Sequence, residues 1–270
     1  AVPIVLLKEE GCNVARGRNL AIKAAKYDLI VSTDFGCRFD PQWLEDITNP
    51  FFNSETKVVG GSYAVDENEI NSSVAKAVYI LSNGYKMVYK NTVPSSRSIA
   101  YYNTVWLQVG GYPEQLTLAG DDTYFGKKIL KEGFNIIWQK SPKVYWMRPD
   151  SLLAYRKESY RYGRGAGESK DPQNRRNVFV NGAELTLKVL FILSIGSLII
   201  HQPFRTHPVF LFVTIVSLGG LRGVFSTISK WWRLRNKKYH LGILLLAVII
   251  YDVLRIEYIK GFINGFSKKK

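Results

Sequence analysis

The sequence predicts an α/β domain followed by a helical membrane region. Short strand-like and helix-like segments alternate from Ala1 to about Tyr145, long apolar runs crowd into the last third, and basic residues gather between and beyond those runs. Alternation of this kind is the pattern of a sheet with helices packed on it. A chain of 270 residues can hold one good-sized core and an appendage.

Val2 to Leu7 is an almost unbroken apolar run and reads as a buried strand. Gly11 and Asn13 stop it and are placed to cap a helix over Val14 to Lys26, which is rich in alanine. Leu29 to Val31 form a short strand that runs into Asp34. Pro41 to Ile47 starts a helix, with Asp40 placed to cap it and Pro41 at the first helical position. Lys57 to Tyr63 reads as a strand, Ile70 to Tyr89 as an apolar-striped helix, Ser98 to Tyr102 as a strand and Thr104 to Val109 as a short helix. Asp122 to Glu132 is a helix closed by Gly133, and Phe134 to Trp138 and Lys143 to Trp146 are the last strands.

A basic, aromatic segment follows, Ser151 to Arg176, and ends in the polar linker Ser169 to Asn177. Leu185 to His201 and Pro208 to Leu221 then approach the length that crosses a bilayer, joined by a proline-containing turn from His201 to Pro208. A third run, Leu241 to Tyr251, is shorter and continues as an amphipathic stretch with Asp252, Arg255, Glu257 and Lys260. Arg222, Lys230, Arg233, Arg235, Lys237 and Lys238 load the loop Arg222 to His240, so the positive-inside rule puts that loop in the cytosol, and the α/β domain with it. The expected organisation is an α/β domain over 1–150, a basic amphipathic segment and linker over 151–184, and a membrane region of two or three transmembrane or interfacial helices over 185–270. The expected location is the cell membrane, multi-pass.

The formal net charge of +15 suits nucleic acid, anionic lipid or phosphorylated ligands alike. Its concentration beside the apolar runs, in Arg222 to Lys238 and Lys268 to Lys270, favours lipid head groups. Nothing resembles a zinc-finger, homeodomain or RNP-type signature, so nucleic acid is not an expected partner. Cys12 and Cys37 are too few for a disulfide framework, lack metal-site spacing and fit a reducing compartment. No basic stretch precedes an apolar core at the start, so no signal peptide is expected.

Five constellations could carry chemistry. Asp34, in Ser32-Thr33-Asp34-Phe35-Gly36-Cys37, follows a strand at the end where open α/β sheets collect ligands. Its carboxylate can hold Mg²⁺ or Mn²⁺ against a diphosphate, or cap a turn. Asp121 and Asp122 open a helix, either as caps favoured by its dipole or as a general base for an acceptor hydroxyl. Arg16, Arg18 and Asn19 stand at the start of the alanine-rich helix, where arginines can meet a diphosphate or form a solvated basic face. Pro94-Ser95-Ser96-Arg97-Ser98 is an ordinary loop or a set of hydroxyl and guanidinium contacts to a sugar. Tyr160, Arg161, Tyr162 and Arg164 can stack on sugar faces and hold phosphate, or rest on anionic lipid.

In this order and with these separations the set resembles the family 2 glycosyltransferases, inverting enzymes of the GT-A fold, from about Val2 to Gly165. The apolar tail is similar to that of the membrane-anchored members. Asn19 within Gly17-Arg18-Asn19-Leu20-Ala21 matches the helix after the nucleotide-binding strands, and Asp34 the first aspartate of the DxD motif. Asp40-Pro41-Gln42-Trp43-Leu44 matches the segment after it, and Gly110-Gly111-Tyr112-Pro113 the turn before the base. Asp121-Asp122 matches the Glu-Asp pair whose second member is the usual base, a role that falls to Asp122. Glu158 to Tyr162 lies where processive members carry Gln-x-x-Arg-Trp, of which only Arg161 is kept.

The resemblance implies a GT-A-type, Rossmann-like mixed sheet flanked by helices and followed by transmembrane helices. It implies a nucleotide-sugar donor met by Arg18, Asn19, Asp34, Arg97 and Arg161, and a divalent metal, Mg²⁺ or Mn²⁺, at Asp34. The acceptor, lipid-linked or a glycan, would be lined by Ser95, Ser96, Tyr160 and Tyr162. Gly36 departs from the pattern by replacing the second aspartate, as in a branch that carries Asp-x-Gly-Cys beside Pro-Ser-Ser-Arg-Ser. The strand–helix units that precede Val2 in the family are not among these residues, which leaves the donor pocket incomplete. Two other readings stay open: a catalytically decayed, membrane-bound carbohydrate- or lipid-binding protein on the same fold, and a nucleotidyltransferase.

Overall fold

A computed structural model describes residues 3–85, 92–200, 208–234 and 239–268. The chain forms two compact units, Ala1–Ile70 with Tyr85–Arg148, and Asn71–Gly84 with Pro149–Lys270.

The first unit is built on the strands β1 (Leu29–Ser32), β2 (Cys37–Phe39), β3 (Val58–Ala64), β4 (Ile99–Tyr102) and β5 (Ile136–Trp146). They run in the order β1-β4-β3-β5-β2, with β3 and β5 parallel and the other neighbours antiparallel, so the sheet is mixed. Helices α1 (Val14–Lys23), α2 (Trp43–Thr48), α4 (Asn103–Gln108) and α5 (Asp121–Lys131) pack on it; α3 (Ser73–Leu81) belongs to the other unit. The period-2 alternation of each strand sorts its side chains between two layers. Ile30, Val58, Ile99 and Tyr101 join Ala15 and Ile22 of α1 and Phe125 and Ile129 of α5. Their sequence neighbours Val31, Val59 and Ala100 join Trp43 and Ile47 of α2 instead. Among the described residues β1 pairs on one side only, with β4.

Four expectations change. Pro3–Leu7 forms no strand, and Ile4 is 91% exposed; an apolar run becomes a strand only where it exchanges hydrogen bonds with an edge, and among the described residues this run pairs with neither edge strand of the sheet. Val2, the first residue of that predicted strand, lies outside the described residues. Helix α2 starts later than expected, at Trp43 with Gln42 in the N-cap position, and the Trp43 N–H donates to the Asp40 carbonyl at 2.9 Å. The last two predicted strands are one, because β3 pairs with both halves of β5 and a register shift between Gly61 and Ser62 absorbs the irregularity. The helix predicted over Ile70 to Tyr89 runs only over Ser73–Leu81, capped by Ser72; Gly84 takes φ 67° beyond it, and 86–89 lie outside the described residues.

The second unit is helical, with α6 (Leu152–Glu168), α7 (Pro172–Ile200), α8 (Pro208–Ser217), α9 (Arg222–Leu234) and α10 (Leu241–Ser267). Ser151 caps α6, its Oγ accepting from the Ala154 N–H at 3.2 Å. The predicted linker to Asn177 shrinks to Ser169–Asp171, since the Asp171 carboxylate accepts from the Gln173 N–H at 2.9 Å and α7 starts at once. Helices α6 and α10 approach until backbone meets backbone. A Cβ at Gly163 or Gly167 would overlap the carbonyls of Tyr258 or Phe262, and one at Gly261 or Gly265 those of Tyr160 or Arg164.

Among the described residues one helix, Pro172–Gly196, is long and apolar enough to cross a bilayer. The expectation of two or three crossings is therefore not met there. Leu185 to Ile200 falls within α7, whereas the described part of α8 passes after Ser217 into a 3₁₀ turn, Leu218–Leu221. Leu241 to Tyr251 continues into the 27-residue α10, two of whose charges are matched by α7: Arg255 donates to Glu184 at 3.1 Å and to the Asn181 carbonyl at 2.8 Å, and Lys188 pairs with Asp252, while Glu257 accepts from Arg156 of α6 at 2.6 Å. The turn at 201–207, Arg235, Lys237, Lys238 and the last two lysines lie outside the described residues.

Candidate functional site

Helix α1 starts where the Asn13 side chain accepts from the Arg16 N–H at 2.8 Å, and its turns then present Ala15, Asn19 and Ile22 to the sheet. Asn19 is buried and its amide is saturated. Its Oδ1 accepts from Trp106 Nε1 and from the Tyr112 N–H, both at 2.9 Å. Its Nδ2 donates to the Tyr112 carbonyl at 2.9 Å and to Glu114 Oε1 at 2.8 Å. Gly110 and Gly111, at φ 69° and 65°, make the turn that brings Tyr112 there, and a Cβ at Gly111 would stand 2.9 Å from Asn19 Oδ1. Asn19, expected as a donor contact, thus pins α1 to the turn that precedes α5. Asn19→Ala leaves two buried N–H groups without an acceptor and should cost about 2–3 kcal/mol of stability, read as a lower denaturation midpoint.

One turn face of α1 away, Arg18 joins two carboxylates from distant parts of the chain. Its Nη1 donates to Asp121 and its Nη2 to Asp34. Asp34 stands in the turn after β1, where Gly36 takes φ 77°, and Asp121 opens α5 behind Gly120 at φ 91°. Burial works against the Arg18 charge, but Asp121 and Asp34 outweigh it and hold the guanidinium above its ordinary range. Burial pushes the Asp121 carboxyl up; Arg18 opposes the shift and Asp122 adds to it.

Arg97 comes from the turn before β4. Its guanidinium carbon lies 3.7 Å from the Trp146 ring centroid and 5.5 Å from that of Tyr63. Nη1 donates to Ser95 Oγ at 2.9 Å, and Nε lies 3.9 Å from Asp34 Oδ2. Ser95 Oγ in turn donates to Asp122 Oδ2 at 3.2 Å, so a chain of polar contacts runs from Arg97 to Asp122. Asp122 is half-buried and, among the described residues, accepts from neutral donors: Ser95, the Thr123 backbone N–H at 2.7 Å and the Thr123 hydroxyl at 3.4 Å. Asp121 is committed to a guanidinium; Asp122 is not. Ser96 is turned away, its Oγ 2.9 Å from the buried Tyr112 hydroxyl.

Arg18, Asp34, Ser95, Arg97, Asp121 and Asp122 therefore come together, at the carboxyl end of β1. Tyr160, Arg161 and Tyr162 stand on α6 in the second unit, the last two exposed. Trp146 and Tyr63, which hold Arg97, were missed in the sequence. Their place near the carboxyl ends of β5 and β3, where α/β sheets gather ligands, is the signal that could have found them.

The donor set does not fit a divalent ion. Among the described residues no three His, Cys, Asp or Glu side chains gather in reach of one cation. Asp34 accepts from Arg18 and lies beside Arg97, Gly36 offers no ligand, and burial pushes the Cys37 thiol up, away from the thiolate a metal takes. A cavity of about 420 Å³ starts at Arg18 and runs beside β1, lined by Ile22, Tyr27, Leu29 and Val31 among others.

No family model and no curated protein matches the chain. Among solved structures it is similar to the mannosyltransferase PcManGT from Pyrobaculum calidifontis, in complex with GDP-Man and Mn²⁺. That likeness has 12% identity and a TM-score of 0.47, over 97% of this chain and 68% of that one. It is also similar to S. aureus TarS 1–349, with 15% identity and a TM-score of 0.36, over 94% of this chain and 70% of that one. Similarity of this order leaves the chemistry to be argued from the side chains.

Proposed function

We propose that the chain is a glycosyltransferase of the family 2 type, moving a sugar from a nucleotide-sugar donor to a lipid-linked or glycan acceptor by inverting single displacement. The observation that carries the reading is the convergence of Arg18 and Arg97 with Asp34, Asp121 and the less committed Asp122 at the carboxyl end of β1. Guanidinium groups suit a diphosphate, whose charge grows as the bond to the sugar breaks. The acceptor oxygen attacks the anomeric carbon from the face opposite the diphosphate, which leaves with the bonding electron pair. Asp122 takes the acceptor proton as general base. The cavity beside β1 begins at Arg18 and is proposed to take part of the nucleoside.

Asn19 supports the site through its hold on Tyr112, and Ser95 through its bond to Asp122. Arg161, Tyr160 and Tyr162, on a helix of their own unit, are proposed to meet donor phosphate or acceptor glycan. Attachment to the cytosolic face of a membrane is proposed on the apolar length of Pro172–Gly196 and the basic residues of α9. The test is a panel of nucleotide sugars with polyprenyl-phosphate and oligosaccharide acceptors on the full chain. Acceptor-dependent release of nucleoside diphosphate, with a glycosylated product by mass, is the expected result. Binding without release would turn the reading to a decayed binding protein, and release of pyrophosphate to nucleotidyl transfer.

A further inference from the structure

We infer that this site holds the donor's diphosphate with guanidinium groups in place of a divalent cation. The inference rests on the transferase reading above and adds how the leaving-group charge is met.

A cation bound at Asp34 would need carboxylate charge to spare. Arg18 already donates to both Asp34 and Asp121. Arg97 adds a second positive charge 3.9 Å from the other Asp34 oxygen. With Asp122 counted, three carboxylates stand against two guanidinium groups, so a single net negative charge is left for a divalent ion, and a metal arriving at Asp34 would meet both arginines at close range. Gly36, where a second carboxylate would stand, supplies neither charge nor oxygen from a side chain.

The same groups suit a diphosphate. Arg97 is held over the Trp146 ring and fixed through Nη1 to Ser95, so its position is set before any ligand arrives. Its Nε is buried and has no hydrogen-bond partner. A buried N–H without an acceptor is unfavourable, and an anionic oxygen beside Asp34 would satisfy it. Arg18 presents two terminal nitrogens side by side, the fork that matches two oxygens of a phosphate. On binding, diphosphate oxygens take over donors that the ligand-free protein commits to Asp34 and Asp121.

The test is calorimetric titration of the full chain with UDP, GDP and inorganic pyrophosphate, in EDTA and again with Mg²⁺ or Mn²⁺. The expected result is that the ligand that binds does so with a Kd within about threefold in the two conditions. Arg97→Gln should weaken binding in EDTA by about tenfold or more. Binding that appears only with the ion would overturn the inference and leave the transferase reading standing, as would an Arg97→Gln chain that binds as tightly as wild type in EDTA. Absence of binding in both conditions would sink the transferase reading together with the inference. If Arg97→Gln does not fold, the wild-type comparison still decides.

Discussion

Asp122→Asn should slow sugar transfer by about 10²–10⁴-fold while leaving donor binding close to wild type. The amide has the shape of the carboxylate and keeps an oxygen for the Thr123 N–H, which lies 2.7 Å from Oδ1. It can also still meet Ser95 Oγ, 3.2 Å from Oδ2, so the local packing survives. What it loses is the ability to take a proton. The neighbouring carboxylate behaves differently. Asp121→Asn breaks the pairing with Arg18 and frees a guanidinium from the network, so its effect should fall on donor affinity more than on the chemical step. Single-turnover rates at saturating donor, set beside donor Kd values, separate the two. A wild-type rate for Asp122→Asn would show that the base is another group.

Gly163→Ala and Gly261→Ala should each destabilise the helical unit by about 3 kcal/mol. Most overpacked side chains find relief in a neighbouring rotamer, but these would not. The atoms in the way are the backbone carbonyls of Tyr258 and Tyr160, held in the ladders of α10 and α6. To make room the helices must part, and with them goes the packing along their shared length. Gly182 in α7 is the control, since a Cβ there meets nothing within 4 Å. Gly182→Ala should be neutral or stabilising by up to about 1 kcal/mol, because alanine is the better helix former. Thermal melts of the full chain in one detergent would show the contrast, and equal midpoints for Gly163→Ala and Gly182→Ala would refute the close approach of α6 and α10.

How much of this was legible in the sequence depends on the range of the interaction. The alternation that makes Val58 and Val59 face opposite layers is local, and so are the cap at Asn13 and the stop at Gly133, where φ is 83°. These were readable. The run from Val2 to Leu7 shows only that such residues favour burial, not what would bury them, and the expected strand failed on that missing neighbour. Arg18 and Asp121 stand 103 positions apart, and nothing in either segment announces that one guanidinium serves two carboxylates. Asn19 shows the same limit: its expected role was a donor contact, and the commitment of its amide to Trp106 and Tyr112 depends on residues 87 and 93 positions away. Apolar length was readable in the tail, whereas the passage from α8 into a 3₁₀ turn after Ser217 was not.

The outer edge of β1 has a further effect, on how the protein behaves in a tube. From Leu29 to Ser32 its outward main-chain N–H and C=O groups stand unpaired among the described residues, and the exposed Pro3–Leu7 stretch is as apolar as a strand interior. An open edge of that kind accepts any extended segment that reaches it, including the same segment from another molecule. Association of this sort grows with concentration and starts from folded protein, so neither heat nor denaturant is needed to begin it. Light scattering across a concentration series at constant temperature reads this directly: scattering that rises with concentration is the expected result, and a flat trace would show that something covers the edge.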